Sequence, residues 1–335
     1  MVELAITGDV MLGRGVNEEL LGRDPRAAFG DVLPVLEEAD LRLMNLECAV
    51  TSRGRPWSRS PKVFHFRADP DVAIPALLAA GVDACALANN HILDFEEEGL
   101  FDTLAALDDA GVARAGAGRD LDEARRPALL DAGDARVAVL AVTDNEPGWA
   151  ATPSRPGTAY LPISTSPEVL FVVEEGVAAA RAQGASLVVL SSHWGPNMVT
   201  RPPPAFQRFA RAVIDRGVDV FWGHSAHVFQ GVELYRGRPI LYDTGDFLDD
   251  YAVDPVLRND WSFVFRLRFE AGDLARLELI PVELGFAEVH LAKPGVDEVV
   301  CQRMAGLSSE LGTRLVYDSG RLSLVPEEAS PRLSP

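Results

Sequence analysis

Residues 187–195 read Leu-Val-Val-Leu-Ser-Ser-His-Trp-Gly, and residues 218–227 read Val-Asp-Val-Phe-Trp-Gly-His-Ser-Ala-His. Each is a short apolar run that breaks off at a histidine beside a glycine, and a stretch of helical period, 205–216, lies between them. An apolar run without polar alternation belongs to a strand buried on both faces, as in sheets whose parallel strands are joined through helices. The same grammar extends outward in both directions. It predicts strands over 2–7, 41–47, 82–88, 136–142, 187–191 and 218–222, and helices over 68–80, 96–110, 168–183 and 205–216. Each helix is followed by a glycine (Gly81, Gly111, Gly184, Gly217), the residue that most easily takes the left-handed stop conformation.

After Trp222 the texture changes to hairpins: 231–235 with 239–243, then 262–270 with 276–281. A helix over 297–311 and strands near 314–317 and 322–325 follow, and 153–167, with four prolines, reads as a long loop. The change predicts a second, antiparallel set of strands covering the first. The expected fold class is α/β, a four-layer α/β/β/α sandwich of two mixed β-sheets flanked by helices. One domain is expected over 1–325 and a loose tail over 326–335.

Composition narrows the functions. The 335 residues include 50 acidic and 31 basic side chains, a formal charge of −19, and Lys62 and Lys293 are the only lysines. General attraction to nucleic acid or an anionic membrane is excluded on that balance. Cys48, Cys85 and Cys301 are odd in number and far apart, so they form neither a disulfide framework nor a paired zinc motif. The start, Val2-Glu3-Leu4-Ala5-Ile6, has no basic stretch leading into an apolar one, and no window of about 18 apolar residues occurs. The expectation is a cytoplasmic protein without membrane insertion, of unspecified oligomeric state.

Polar clusters follow five of the predicted strands. They are Gly8-Asp9 with Gly13-Arg14, Asn45-Leu46-Glu47, Asn89-Asn90-His91 with Asp94, Ser192-His193-Trp194-Gly195, and Gly223-His224 with His227. In an open α/β sheet, ligands bind outside the carboxyl ends of the strands, so these clusters converge on one edge. A lone histidine after a strand is usually a loop or capping residue. Five clusters together form a mixed set of imidazoles, carboxylates and an amide carbonyl suited to one or two divalent ions of Mn, Fe or Zn, and poor for Ca or Mg.

These motifs, with Phe66-Arg67-Ala68-Asp69-Pro70, Gly116-Ala117-Gly118 and Tyr242-Asp243-Thr244-Gly245-Asp246-Phe247, resemble the CapA family of poly-γ-glutamate capsule synthesis. That family is similar to the calcineurin-like metallophosphoesterases, and the resemblance spans 3–325. It implies Asp9 and His227 as ligands of a first metal, Glu47 as the bridge, and Asn90, His193 and His224 as ligands of a second. It also implies His91 as the proton donor to a leaving group, with Asp94 as its orienter, and an attacking water acidified between the ions. Three positions depart from the phosphoesterase pattern. Met11 stands where a histidine ligand is usual, Glu47 where the bridge is Asp, and Gly-His-Ser-Ala-His where the close is Gly-His-x-His.

Other residues carry competing readings. Arg14 and Arg67 flank the site and could bind a carboxylate or phosphate bidentately; a surface arginine or internal salt bridge is the plainer alternative. His290, alternating with apolar neighbours, could reach the site from a late strand, whereas His65 reads as structural. Asp243, Asp246, Asp249 and Asp250 with Tyr251 could hold a cation or an amine, a solvated acidic turn being simpler. Trp194 reads as a pocket wall.

The metal-site residues together with the resemblance imply three functions. The leading one is a metal-dependent hydrolase acting on a phosphoester or on an amide of an acidic, polyglutamate-like small-molecule or peptide substrate. The second is a metal-dependent epimerase of peptide α-carbons, with Asp9 and His290 as bases on opposite faces. The third is a non-enzymatic accessory protein of poly-γ-glutamate synthesis.

Overall fold

The apolar runs become two separate sheets. A computed structural model describes residues 1–324, so the tail expected over 326–335 lies outside the described residues. Val2–Val10 runs through the middle of a ten-stranded sheet. On one side it is followed, all parallel, by Leu41–Leu46, Ala84–Ala86 and Ala113–Ala115. On the other lie, antiparallel, Trp261–Glu270, Asp273–Gly285, Arg321–Leu324 and Val316–Asp318. Asp246–Leu248 adds a short parallel pairing at the carboxyl end of Val2–Val10, and Glu288–Leu291 pairs with Asp273–Gly285. The second sheet has six strands in the order Val232–Tyr235, Arg238–Leu241, Val220–His224, Leu187–His193, Ala135–Thr143 and Ala128–Ala132.

The boundary between the sheets does not fall at Trp222. Leu187–His193 and Val220–His224 belong to the second sheet together with Ala135–Thr143. The later hairpin strands return to the first, where Trp261–Glu270 pairs along Val2–Val10. Hairpin texture shows that two strands run antiparallel to each other, not which sheet they join. Here they cover the edge of Val2–Val10 that would otherwise present unpaired backbone groups.

Side chains alternate faces along every central strand, as the two-residue period requires. Leu4, Ile6, Leu43, Ala86, Val137, Val139, Val189 and Trp222 meet between the sheets with Phe263 and Phe265. Ala5, Met44 and Cys85 face outward under Pro70–Ala79 and Glu96–Ala110, against Ala73, Leu77, Leu100 and Leu104. On the opposite face, Ala138, Leu140, Val188, Leu190 and Phe221 pack under Pro167–Ala182 and Pro204–Asp215. These are the four layers expected. The helix Val296–Glu310 inserts Val300, Cys301 and Met304 into the inter-sheet core. Gly111 stops Glu96–Ala110 at φ +72°. Among the described residues no helix is long and apolar enough to cross a membrane.

Candidate metal centre

Strand register assembles the site. In the first sheet Asp9 lies directly beside Asn45 on one neighbour and Asp246 on the other. In the second, His193 lies beside His224. The two edges are tied just below, where the Trp222 indole N–H donates to the Thr7 carbonyl (3.1 Å) and to Thr244 Oγ1 (3.2 Å). Two glycines permit this closeness. A Cβ on Gly8 would lie 1.9 Å from the Gly245 carbonyl oxygen, and one on Gly223 would lie 2.1 Å from that of Tyr242. Each immediately precedes a proposed ligand, Asp9 or His224.

Asp9 is buried and accepts hydrogen bonds from Asn45 Nδ2 (2.7 Å, on Oδ1) and the Ser225 backbone N–H (3.2 Å, on Oδ2). Oδ1 also lies 3.3 Å from His224 Nδ1 and 4.0 Å from His193 Nδ1, and Oδ2 lies 3.9 Å from His227 Nδ1. Burial pushes this carboxyl up, but the hydrogen bond to His224 and the neighbouring imidazoles win and hold it below the ordinary carboxylate range. His227 Nδ1 is 2.8 Å from Asp246 Oδ1. Two groups with metal-ligand spacing result, Asp9 with His193 and His224, and Asp9 with Glu47, His227 and Asp246.

Unpartnered atoms test whether a metal fits. Both carboxylate oxygens of Glu47 are buried without a hydrogen bond, as are Asn90 Oδ1 and Asp246 Oδ2. Burial, then the Asp9 charge, push Glu47 well above its ordinary value; burial and the Asp249 charge do the same for Asp246. His193 Nδ1 and His224 Nδ1 face each other at 2.9 Å, while His224 Nε2 is 2.7 Å from Ser191 Oγ. Converging lone pairs and orphaned carboxylate oxygens are costly unless a cation accepts them. The donor set therefore fits one or two divalent ions. Asp9 is common to both groups, whereas the resemblance implied Glu47 as the bridge; Glu47 Oε1 still lies 3.7 Å from His193 Nε2.

His91 stands beside this set, its Nε2 3.8 Å from Glu47 Oε1 and its Nδ1 2.6 Å from Asp94 Oδ2. Asp94 Oδ2 also accepts from the Phe66 backbone N–H at 2.7 Å, and Lys62 Nζ lies 3.3 Å from Oδ1. Burial lowers His91 well below the ordinary imidazole value and lifts Asp94 to about 7, against the pull of Lys62. A neutral imidazole with a protonated carboxyl and an imidazolium with a carboxylate differ only in where one proton sits along that hydrogen bond. In both, Nε2 carries a proton.

The site opens into a cleft of about 630 Å³ whose wall includes His91, His227, Asn90, Lys62, Phe66 and Tyr251. Four of its residues, Arg14, Glu146, Met198 and His227, hold φ between +47° and +59°. Such strain persists only where surrounding packing enforces it, and it clusters at functional sites. Arg14 stands at the wall with Nε 3.2 Å from Asp250 Oδ2.

Two expected substrate residues are elsewhere. Arg67 is exposed, with its guanidinium over the Phe95 ring at 5.0 Å, in a shallower depression beside Asn17 and His65. His290 pairs across the strands with Glu283 and lies 3.6 Å from Asp31 and 3.5 Å from Glu288. Strand alternation accounts for it, since Val289 takes the inward position and turns His290 outward. His65 Nε2 donates to the Trp57 carbonyl at 3.2 Å, and Trp194 packs in the outer core.

The acidic stretch is no solvated turn. Asp243, Asp246 and Asp249 are buried, burial raising Asp243 to about 8 and Asp249 to about 6. Lys62 was the site residue with no role read from sequence; Asn45 stood in a polar cluster without an assigned role, and Asp246 and Tyr251 were named only within the acidic loop that could hold a cation or an amine.

Comparison with known proteins finds similarity at the level of the family. The family described as "Bacterial capsule synthesis protein PGA_cap" matches residues 3–251. A Mycobacterium tuberculosis protein named as a probable polyglutamine synthesis accessory protein is 34% identical, over 94% of this chain and 93% of its own length. The capsule biosynthesis protein CapA of Bacillus anthracis is 30% identical, over 84% of this chain and 67% of its own. Among solved structures, the Thermus thermophilus sulfate thiohydrolase SoxB aligns with a TM-score of 0.41 at 15% identity, over 91% of this chain and 48% of that one.

Proposed function

The chain belongs to the bacterial capsule synthesis PGA_cap family, and from that premise we propose that it is a metal-dependent hydrolase of a phosphoester or of an amide of an acidic substrate. The observation that carries the reading is Glu47. Both its oxygens are buried and unpartnered between the Asp9 groups and His91. Asp9, Glu47, Asn90, His193, His224 and His227, joined by Asp246, would hold one or two ions of Mn, Fe or Zn. A bound ion supplies Lewis acidity toward a phosphoryl or carbonyl oxygen and toward water.

The protein's own groups account for the remaining steps. His91 Nε2 points away from Asp94 and gives its proton to the departing alkoxide or amine. Asp94, fixed by the Phe66 N–H and Lys62, keeps the ring oriented and takes up the change in charge. Arg14 and Lys62 are the cations on the cleft wall, each held by a carboxylate, Asp250 for Arg14 and Asp94 for Lys62.

Metal analysis of protein purified without chelator tests the reading, followed by hydrolysis of p-nitrophenyl phosphate and a γ-glutamyl anilide. About one or two equivalents of transition metal and metal-dependent turnover are expected. Metal-free protein whose stability is unchanged by Mn or Zn would overturn it.

A second reading has one observation in its favour, the accessory role in the name of the Mycobacterium relative. In it the same cleft binds without turnover, and the protein would co-purify with a membrane synthase. Epimerisation through Asp9 and His290 lacks its second base, because His290 faces Asp31 and Glu288.

A further inference from the structure

The cleft's charge and its apolar mouth narrow the substrate, an argument that rests on the hydrolase reading of the same site. Among the described residues only two formal cations, Arg14 and Lys62, line the cleft, and both are already engaged. Arg14 faces Asp250 at 3.2 Å, and Lys62 faces Asp94 at 3.3 Å and Glu146 at 3.9 Å. Beneath them lie the carboxyl groups of Asp9, Glu47 and Asp246. A bound metal accommodates one anionic group; further carboxylates along a chain would be stripped of water against a wall with no cation to spare.

The mouth offers something else. Val63 is 85% exposed and Phe64 60% exposed, both on the cleft wall. The Phe64 and Phe66 rings stack with centroids 6.4 Å apart, and the Arg14 guanidinium lies within 5.4–5.9 Å of the Phe64, Phe66 and Tyr251 rings. This surface suits a planar or aliphatic group next to the reacting bond.

We infer that the cleft selects a small substrate carrying one anionic group beside an apolar flank seated on Val63 and Phe64, and that it discriminates against polyanionic chains. Isothermal titration of manganese-loaded protein with N-phenylacetyl-glycine, N-acetyl-glycine and tri-γ-glutamate tests it. The phenylacetyl compound should bind about ten-fold more tightly than either other probe, about 1.4 kcal/mol. Phe64→Ala, at an exposed position whose loss spares the core, should collapse that ratio toward one. Tighter binding of tri-γ-glutamate, equal binding of all three, no binding of any, or a ratio unmoved by Phe64→Ala would each overturn the inference. Because the readout is affinity, selective binding without turnover would count against hydrolysis alone, and turnover without selectivity against this inference alone.

Discussion

Asp9 Oδ1 lies 3.3 Å from His224 Nδ1, although the two residues are 215 positions apart and belong to different sheets. Asp9 is also the one member common to both groups with metal-ligand spacing. Asp9→Asn removes the shared charge and should abolish binding at both positions. His224→Ala removes a nitrogen from one group only and should weaken Mn binding by more than the 10–100-fold typical of outer-shell partners. Metal content by mass spectrometry and the Tm gained on adding Mn are the measurements. Equal, complete metal loss in both variants would contradict the two-group arrangement.

His91→Ala should leave metal content near wild type and lower turnover of a substrate with a poor leaving group by about 100–10,000-fold. With p-nitrophenolate, which departs without a proton, the loss should be much smaller. Asp94→Asn should fall between, since the ring would keep a hydrogen-bonding partner but lose its charge. Paired kinetics on alkyl and p-nitrophenyl esters check this.

The metal-free protein should lose stability as pH rises from about 4 to about 8. Asp243, at about 8 in the fold, and Asp249, at about 6, both lie above the ordinary carboxylate value because of burial. Between the unfolded and folded values the native state therefore binds more protons than the unfolded state, and each group contributes a slope of up to about −1.4 kcal/mol per pH unit. Stability from these groups is fully present below the unfolded value and lost through the folded one. Asp243→Asn should flatten the Tm profile in chelator, and added Mn should flatten it in the unsubstituted protein.

Gly8→Ala should destabilise by about 3 kcal/mol, the upper end of overpacking costs, because its Cβ would lie 1.9 Å from the Gly245 carbonyl oxygen. Chemical denaturation measures it. Gly237→Ala, at a hairpin turn where a Cβ meets nothing within 4 Å, should cost less despite its φ of +77°.

The helices were legible because their apolar period and following glycines are local signals; Glu96–Ala110 starts and stops where the pattern does. The strand-end position of Asp9, Glu47, His91, His193 and His224 was legible for the same reason, since each closes or closely follows an apolar run. Burial of Asp243, Asp246 and Asp249 was not, because three aspartates after a hairpin look solvated until a strand from elsewhere pairs with Asp246. Nor was the outward turn of His290, where a shift of one residue in register decides the face.

By itself the amino-acid order determined which residues end each apolar run, and so which donors could stand at a sheet edge. That follows because strand and helix formation depend on neighbours within a few positions. Only the tertiary structure decided which edges meet. The return of Trp261–Glu270 to Val2–Val10, the approach of Gly8 to Gly245 and the facing of His224 by Asp9 are contacts between distant segments. They are set by burying two apolar faces against each other, and that requirement has no local signature in the chain.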